Sequence, residues 1–425
     1  MRLLLRNGRV LDPASGVDDT LDVLIEDGRI ARLEAKIPAR GAEVADLAGL
    51  VVCPGFLDMH VHLREPGQEW KETIATGTRA AAAGGFTGVA CMPNTVPVND
   101  SRSVTESILR TAARDAVVAV YPVGCVSKGQ AGEELAEMAD MFEAGARAFS
   151  DDGQPVASGL LLRKALEYSR LFDVPILDHC EDSGLVAGGV VHEGDVSTRM
   201  GLRGWPGVAE DVVVQRDVLL AEYTAGRLHV AHLSTGRSAD IVRRAKKAGI
   251  RVTCEATPHH LALTDEAVSG FDTNAKMNPP LRPESDRRAL LKALQDGTVD
   301  AIATDHAPHH ADEKNVEFSR APFGIVGLET AVSVCLDRLV HGGTIGLPRL
   351  VELFTSGPAR ILGLAKGTLA PGADADVTVL DPNRRVTVDP ARFRSKSANT
   401  PFAGWSLRGA PVMTLVAGRI VHDGR

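Results

Sequence analysis

Apolar, β-branched runs alternate with helical patterns along the middle of the chain, as in βα units that build a parallel sheet. The candidate strands are Gly55–Leu63, Thr87–Met92, Val117–Val123, Arg147–Ser150, Val174–His179, Leu228–Leu233, Arg251–Ala256 and Asp300–Thr304. The candidate helices are Lys71–Ala83, Ser103–Arg114, Glu133–Phe142, Leu160–Ser169, Val208–Thr224, Ala239–Lys247, Ser285–Gln295 and Gly327–Leu339. Eight strand-helix units predict an α/β fold, a (β/α)₈ TIM barrel, with an open doubly wound sheet as the alternative.

The two ends of the chain have a different pattern, in which short apolar strands are separated by turn residues. The turn signals are Asn7-Gly8, Asp27-Gly28, Asp381-Pro382 and Gly418. Asn-Gly and Asp-Gly between apolar runs are typical of hairpins. We therefore predict one small β-sheet domain built from both termini, residues 1–53 and 368–425. The barrel, residues 54–367, would be inserted between its two parts.

Composition limits the classes of partner and the cell compartment. A net charge of −8 argues against nucleic acid or an anionic membrane as the main partner. No apolar run approaches the ~18 residues of a membrane span, and the apolar start Met1–Arg6 is too short for a signal peptide. The 6 cysteines form no C-x-x-C pair, which disfavours a zinc ribbon or a disulfide framework. A cytoplasmic protein is expected.

Polar residues stand where the predicted barrel strands end. His60 and His62 are two positions apart at the end of the first strand, so both side chains lie on one face and can point to one ion. Such a pair alone is more often structural than metal-binding. Four further candidates also end strands: Asp152, His179, His232 and Asp305. Because the C-terminal strand ends of a barrel converge, this set fits one or two divalent ions, zinc above all.

Several segments are similar to the amidohydrolase superfamily and, within it, to the bacterial-type dihydroorotases that have an aspartate metal bridge. They are Val52–His62, Met92–Thr95, Met277–Arg282, Ala303–His309, Gly367–Leu369 and Gly372–Asp376. His62–Gly67 and Asn278–Arg282 are typical of dihydroorotases rather than of the superfamily at large. The resemblance covers nearly the whole chain.

The resemblance implies two zinc ions: His60, His62 and Asp305 would hold the more buried ion, and His179 and His232 the second. Two ions per chain are expected, and one is the alternative. Many relatives bridge the ions with a carboxylated lysine, whereas this chain has Asp152 at that place, which disfavours a hydantoinase. Asp151 is the neighbouring alternative, and the strand register to His179 favours Asp152.

A second group of residues is expected to bind the substrate carboxylate and ring. Arg64 lies two residues beyond His62 on the predicted strand face and can offer a bidentate fork, with a salt bridge at the barrel mouth as the alternative. The resemblance adds contacts from His62, Asn94, Asn278, His309, Phe323 and Gly324. Among these, Asn94 and His309 would contact the carboxylate, and Asn278 would contact the amide edge of the ring. Without the resemblance, Asn94 is nearly as well explained as a turn residue.

The resemblance implies reversible zinc-dependent hydrolysis of (S)-dihydroorotate to N-carbamoyl-L-aspartate, in pyrimidine (UMP) biosynthesis. Zinc lowers the pKa of bound water to ~7, so zinc-bound hydroxide would be the nucleophile. Asp305 would act as general base and then general acid at the leaving nitrogen. The alternatives are an allantoinase or hydantoinase, and a non-catalytic scaffold for aspartate transcarbamoylase, which the six retained ligand positions disfavour. A homodimer is expected, with a transcarbamoylase complex possible.

Overall fold

The computed structural model describes residues 2–425. The strands are β1 (Arg2–Asp12), β2 (Val17–Glu26), β3 (Arg29–Glu34), β4 (Glu43–Asp46), β5 (Val51–Pro54), β6 (Phe56–Val61), β7 (Phe86–Cys91), β8 (Ala119–Gly124), β9 (Ala148–Phe149), β10 (Ile176–Asp178), β11 (Val191–His192), β12 (Gly204–Trp205), β13 (Leu228–Val230), β14 (Val252–Ala256), β15 (Ala301–Ile302), β16 (Val377–Thr387), β17 (Ser406–Val416) and β18 (Arg419–Asp423).

The helices are α1 (Ile74–Ala83), α2 (Arg102–Asp115), α3 (Met138–Ala144), α4 (Gly159–Ser169), α5 (Ser183–Val186), α6 (Asp195–Met200), α7 (Val208–Thr224), α8 (Gly236–Lys247), α9 (Pro258–Ala262), α10 (Glu284–Gln295), α11 (Ala311–Lys314), α12 (Ala331–Cys335), α13 (Leu347–Phe354) and α14 (Ser356–Ile361). A π-helical turn, Leu336–His341, continues α12. Within residues 2–425, no helix combines the length and the apolar character that crossing a membrane requires.

Eight parallel strands form the barrel, in the order β6, β7, β8, β9, β10, β13, β14, β15. Each of the eight predicted strands overlaps one of them, although β7 begins one residue before its predicted range and β8 ends one residue after its own. The ring closes where the main-chain N–H of His62, after β6, donates to the oxygen of His306, after β15, at 2.9 Å. This closure confirms the barrel and excludes the open doubly wound sheet.

The barrel strands are largely apolar because both of their faces are covered. Helices cover the outer face, and the packed interior of the barrel covers the inner face. Every residue of β6 and β7 is buried. On the outside, Phe354 of α13 stacks on Phe56 of β6, with ring centroids 5.3 Å apart. Met59 and Leu177 belong to an apolar cluster inside the barrel. Polar side chains therefore collect at the C-terminal ends of the strands.

The second large sheet joins the two ends of the chain, in the order β18, β17, β16, β5, β1, β2, β3, with β4 beside β1. Val52 of β5 pairs with Val10 of β1 on one side and with Val379 of β16 on the other. The predicted sheet from both termini is thus confirmed. The domain boundaries proposed after residues 53 and 367 stay a prediction.

Asn7-Gly8 does not form the expected hairpin. β1 runs through it, and Arg6 and Asn7 together lie opposite Asp22 of β2, as a bulge in one continuous pairing. Asn7 takes the positive φ of 64° that makes this dipeptide look like a turn. A Cβ at Gly8 would lie 2.6 Å from Cγ2 of Val52, so the strand needs glycine there for close packing. The second dipeptide, Asp27-Gly28, does form the turn between β2 and β3.

A buried carboxylate ties the end of β1 to the segment that leads into the C-terminal strands. Asp12 is 0% exposed, and its Oδ2 accepts from the Thr368 hydroxyl and the Leu369 N–H, both at 2.8 Å. The Ser15 hydroxyl donates to the same oxygen at 2.7 Å. The two halves of the terminal sheet thus share one hydrogen-bonded acceptor.

We predict that Asp12→Ala lowers the free energy of unfolding by about 1–3 kcal/mol, because the Leu369 N–H would be left buried without an acceptor. The matched control is Asp18→Ala on β2, which removes an exposed ion pair in which Oδ1 of Asp18 lies 2.7 Å from Nε of Arg9. This variant is expected to lower the free energy of unfolding by less than about 1 kcal/mol. Urea unfolding midpoints of the three proteins measure this. Equal midpoints for the two variants would contradict it.

Candidate metal centre

The six candidate ligands meet at the C-terminal end of the barrel. Each is at most 5% exposed, and each stands at or just beyond a strand end: His60 and His62 at β6, Asp152 beyond β9, His179 at β10, His232 at β13 and Asp305 at β15. Residues up to 245 positions apart in the chain therefore form one buried cluster because parallel strands end on the same side.

Asp152 lies at the centre of the four histidines. Its Oδ1 is 3.3 Å from Nε2 of His60, 3.4 Å from Nε2 of His232 and 3.5 Å from Nδ1 of His179. Its Oδ2 is 3.4 Å from Nε2 of His62. Burial alone would raise the pKa of Asp152, but the surrounding imidazoles outweigh it and hold the pKa well below the usual range. The carboxylate is therefore ionised and faces ring nitrogens from every side.

Asp305 is the second carboxylate of the cluster. Its Oδ1 lies 3.1 Å from Nε2 of His62 and 3.6 Å from Nε2 of His60. Burial opposes ionisation here too, but the charges and hydrogen bond of His60, His62 and His232 lower its pKa. Asp305 is therefore ionised at neutral pH.

The donor set fits divalent cations. Nε2 of His60 and Oδ1 of Asp152 are buried atoms without a hydrogen-bond partner within residues 2–425. Nδ1 of His179 and Nε2 of His232 lie 2.8 Å apart. At this distance the two ring nitrogens can share one hydrogen or one cation. Three groups of three ligand atoms lie within 4.8 Å of one another: His60, His232 and Asp305; His60, His62 and Asp152; and Asp152, His179 and His232.

The outward-facing nitrogens of three histidines are each held by a partner, which fixes the ring orientation. Nδ1 of His60 lies 2.6 Å from Oε1 of Glu255, and Nδ1 of His62 lies 2.9 Å from Oδ1 of Asn94. Nε2 of His179 lies 3.0 Å from Oε2 of Glu181. Each ring therefore presents its other nitrogen to the two aspartates.

Glu255 is a buried residue of the site that the sequence pattern did not single out. Its Oε2 lies 3.2 Å from Nε2 of His229, and its Oε1 accepts from the main-chain N–H of His232 at 3.3 Å. Burial opposes ionisation, but His60 and His229 lower the pKa of Glu255 to about 2. The available signal was a single carboxylate inside the apolar strand Val252–Ala256.

The neighbouring polar residues are engaged elsewhere. Asp151 accepts from the main-chain N–H groups of Val126 and Ser127, at 2.9 and 3.0 Å. His306 faces Glu72, with its Nε2 3.3 Å from Oε2. Of the two adjacent aspartates, only Asp152 faces the histidines, and both lie beyond the end of β9 at Phe149.

Arg64 lies at the mouth, but strand alternation does not explain its position. β6 ends at Val61, and Arg64 has a φ of 61° in the turn that follows. Its Nε donates to the main-chain oxygen of Pro308 at 3.3 Å, and burial lowers its pKa to about 10. The guanidinium remains charged at neutral pH and lies beside the segment that carries His309.

The other substrate-contact candidates are bonded to the cluster or to each other. Asn94 holds His62, and Nδ2 of Asn278 donates to Oε2 of Glu181 at 3.1 Å, which leaves Oδ1 of Asn278 buried and unpartnered within the described chain. Nε2 of His309 donates to the main-chain oxygen of Phe323 at 2.8 Å.

Gly324 follows with a φ of 147°, and a Cβ there would lie 2.7 Å from the oxygen of Ala307. Backbone packing therefore requires glycine at this position. Because His309 is bonded to the residue before it, the structure brings the 307–309 and 323–324 segments together at the mouth.

Comparisons with known proteins agree with this geometry. A family model described as dihydro-orotase-like matches residues 49–238, and one described as amidohydrolase family matches residues 339–422. The dihydroorotase of Pelotomaculum thermopropionicum is 55% identical over 425 residues, 100% of this chain and 99% of that protein. That of Syntrophotalea carbinolica is 55% identical over 422 residues, 99% of each chain.

A solved structure with the same fold is the L-hydantoinase (dihydropyrimidinase) from Arthrobacter aurescens. It superposes with a TM-score of 0.91 at 27% identity, covering 99% of this chain and 96% of that one. The sequence relatives are twice as similar and match from end to end. This chain therefore belongs to the dihydroorotase family, within the amidohydrolases.

Proposed function

We propose that this chain is a metal-dependent dihydroorotase that interconverts (S)-dihydroorotate and N-carbamoyl-L-aspartate. The observation that carries the proposal is the buried Asp152 carboxylate, whose oxygens lie within 3.5 Å of all four imidazoles. Asp305 stands next to it, and the cationic Arg64 lies at the mouth. The two aspartates and the histidines would serve amide hydrolysis, and the Arg64 cation would bind the substrate carboxylate.

We assign the ligands to two zinc ions: His60, His62 and Asp305 for the first, His179 and His232 for the second, and Asp152 as the bridge. Nitrogen and oxygen donors in this number suit zinc. When bound, the ions would polarise the scissile carbonyl and activate the attacking water. The orphaned atoms of His60 and Asp152 support this assignment.

The proton path runs through Asp305. Hydrolysis adds the oxygen of water to the carbonyl carbon, breaks the C–N bond and transfers a proton to the ring nitrogen. Asp305 is held ionised by His60 and His62, so one of its oxygens can accept the proton of water and pass it to the nitrogen. Ring closure uses the same steps in reverse.

Substrate recognition divides between a charged and a neutral group of contacts. Arg64 and Asn94 would bind the carboxylate directly, and His62 and His309 would lie beside it. The unpartnered Oδ1 of Asn278 is an acceptor for an N–H of the ring. The main chain at Phe323 and Gly324 would lie along the ring, where no side chain intervenes at Gly324.

The test is turnover of (S)-dihydroorotate and ring closure of N-carbamoyl-L-aspartate by the purified, zinc-loaded chain, beside hydantoin and allantoin. The proposal expects dihydroorotate to be the best substrate. A preference for hydantoin or allantoin would move the chain to another branch of the superfamily. A chain that binds no metal and turns over none of them would support the scaffold alternative.

The expected homodimer, a complex with aspartate transcarbamoylase and a cytoplasmic location stay predictions. Light scattering of the chain, alone and mixed with the transcarbamoylase, measures the first two directly.

We predict that Asp152→Ala loses one zinc ion per chain and most of the activity, because a bridging carboxylate contributes to both sites. The matched control is Asp151→Ala, which removes a carboxylate bonded to Val126 and Ser127 and is expected to keep the zinc content. Elemental analysis and turnover of both variants check this. Two zinc ions and normal turnover in Asp152→Ala would show that the bridge is wrongly assigned.

We predict that Asp305→Asn stays zinc-loaded but loses about 10²–10⁴-fold in kcat, in both directions. Asparagine keeps an oxygen that can act as a ligand, but it cannot take up a proton. Zinc content is measured beside the rates of ring opening and closure. Normal turnover in a zinc-loaded variant would remove Asp305 from the proton path, whereas parallel loss of zinc and rate would limit its role to ligation.

A further inference from the structure

His309 cannot bond a carboxylate through its free ring nitrogen. Its Nε2 lies 2.8 Å from the main-chain oxygen of Phe323, which only accepts, so Nε2 carries the hydrogen. Burial, then the charges of Arg64 and Lys71, lower the pKa of His309 to about 2, so the ring is neutral and Nδ1 has a lone pair. A carboxylate oxygen is also an acceptor. Two acceptors facing each other need a donor between them.

Lys71 supplies such a donor. Its Nζ lies 3.5 Å from Nδ1 of His309 and 3.0 Å from Oε1 of Glu313, and its side chain is only 12% exposed. An ammonium group has three N–H donors. These two contacts use two of them, and the third recorded neighbour of Nζ is the face of the Trp70 ring, whose centroid is 5.9 Å away. A ring face at this distance is a weak partner, so one N–H can be donated to a substrate carboxylate beside a residue already assigned to the carboxylate pocket.

We propose that Lys71 binds the substrate carboxylate, with one N–H donated to the carboxylate and another to Nδ1 of His309. This inference rests on the proposed function, because it takes the position of the carboxylate from it. Arg64 and Lys71 then provide two cations, one on the Pro308 side of His309 and one at its Nδ1. His309 orients the ammonium, and Glu313 is a second neighbour on which carboxylate binding does not depend.

If Lys71 had only a structural role, a different result would be expected. The pair between Lys71 and Glu313 joins the segment before α1 to α11, and a tether of this kind depends equally on both partners. A carboxylate-binding lysine does not, since the loss of Glu313 leaves its ammonium in place and removes a competing carboxylate. The two variants therefore separate the explanations.

The experiment compares Lys71→Met, Lys71→Arg and Glu313→Gln in the zinc-loaded full chain, with Lys247→Met as the matched loss of an exposed lysine on α8. KM and kcat are measured for dihydroorotate and for N-carbamoyl-L-aspartate, together with zinc content. Lys71→Met is expected to raise both KM values about 10- to 100-fold, as for a lost hydrogen bond to a charged group, with kcat affected far less and zinc unchanged.

Lys71→Arg is expected to recover most of the lost affinity, and neither Glu313→Gln nor Lys247→Met should raise KM. An unchanged KM in Lys71→Met, or an equal rise in Glu313→Gln, would overturn the inference while wild-type turnover of dihydroorotate leaves the proposed function intact. A wild-type chain inactive on dihydroorotate would instead overturn the proposed function.

Discussion

Three buried carboxylates at one end of the barrel, Asp152, Asp305 and Glu255, impose the constraint on which the site depends. Each must be neutralised locally, since an unpaired charge in the interior costs several kcal/mol. His60 stands between them, with Nδ1 2.6 Å from Glu255 and Nε2 facing both aspartates. Protons on the histidines leave some donors and acceptors unmatched, as at Oδ1 of Asp152. Divalent cations would match these lone pairs, and the candidate ligands at five strand ends suit that requirement.

The residues that orient the histidines also orient the substrate contacts. Asn94 holds Nδ1 of His62, and its amide stands at the mouth where the carboxylate is expected. Glu181 accepts from both His179 and Asn278, at 3.0 and 3.1 Å. A shift of the ring contacts would therefore also shift the histidines. Under the proposed function, this sharing would hold the scissile bond in a fixed position relative to the cluster, and amide hydrolysis requires this because a misplacement of about 1 Å is costly in rate.

The barrel and the meeting of the six candidate ligands at one of its ends could be predicted because their signals are local: an apolar run, then a polar residue where the run stops. Other features depend on distant partners. Asn7-Gly8 and Asp27-Gly28 are similar dipeptides, and only the pairing with β2 makes the first a bulge and the second a turn. Glu255 looks anomalous in its strand, and its meaning appears only when the barrel brings it to His60, 195 residues away.

The C-terminal part of the chain also shapes the mouth directly. Asn399 is 4% exposed, and its amide donates to the oxygens of Ala307 and Gly324, both at 3.0 Å. Its Oδ1 accepts from the N–H of His309 at 3.1 Å, across 90 residues of sequence. One side chain thus fixes the two segments proposed to hold the carboxylate and the ring. Since Asn399 lies between strands β16 and β17 of the terminal sheet, the chain segment that joins these strands is bonded to both parts of the proposed substrate pocket.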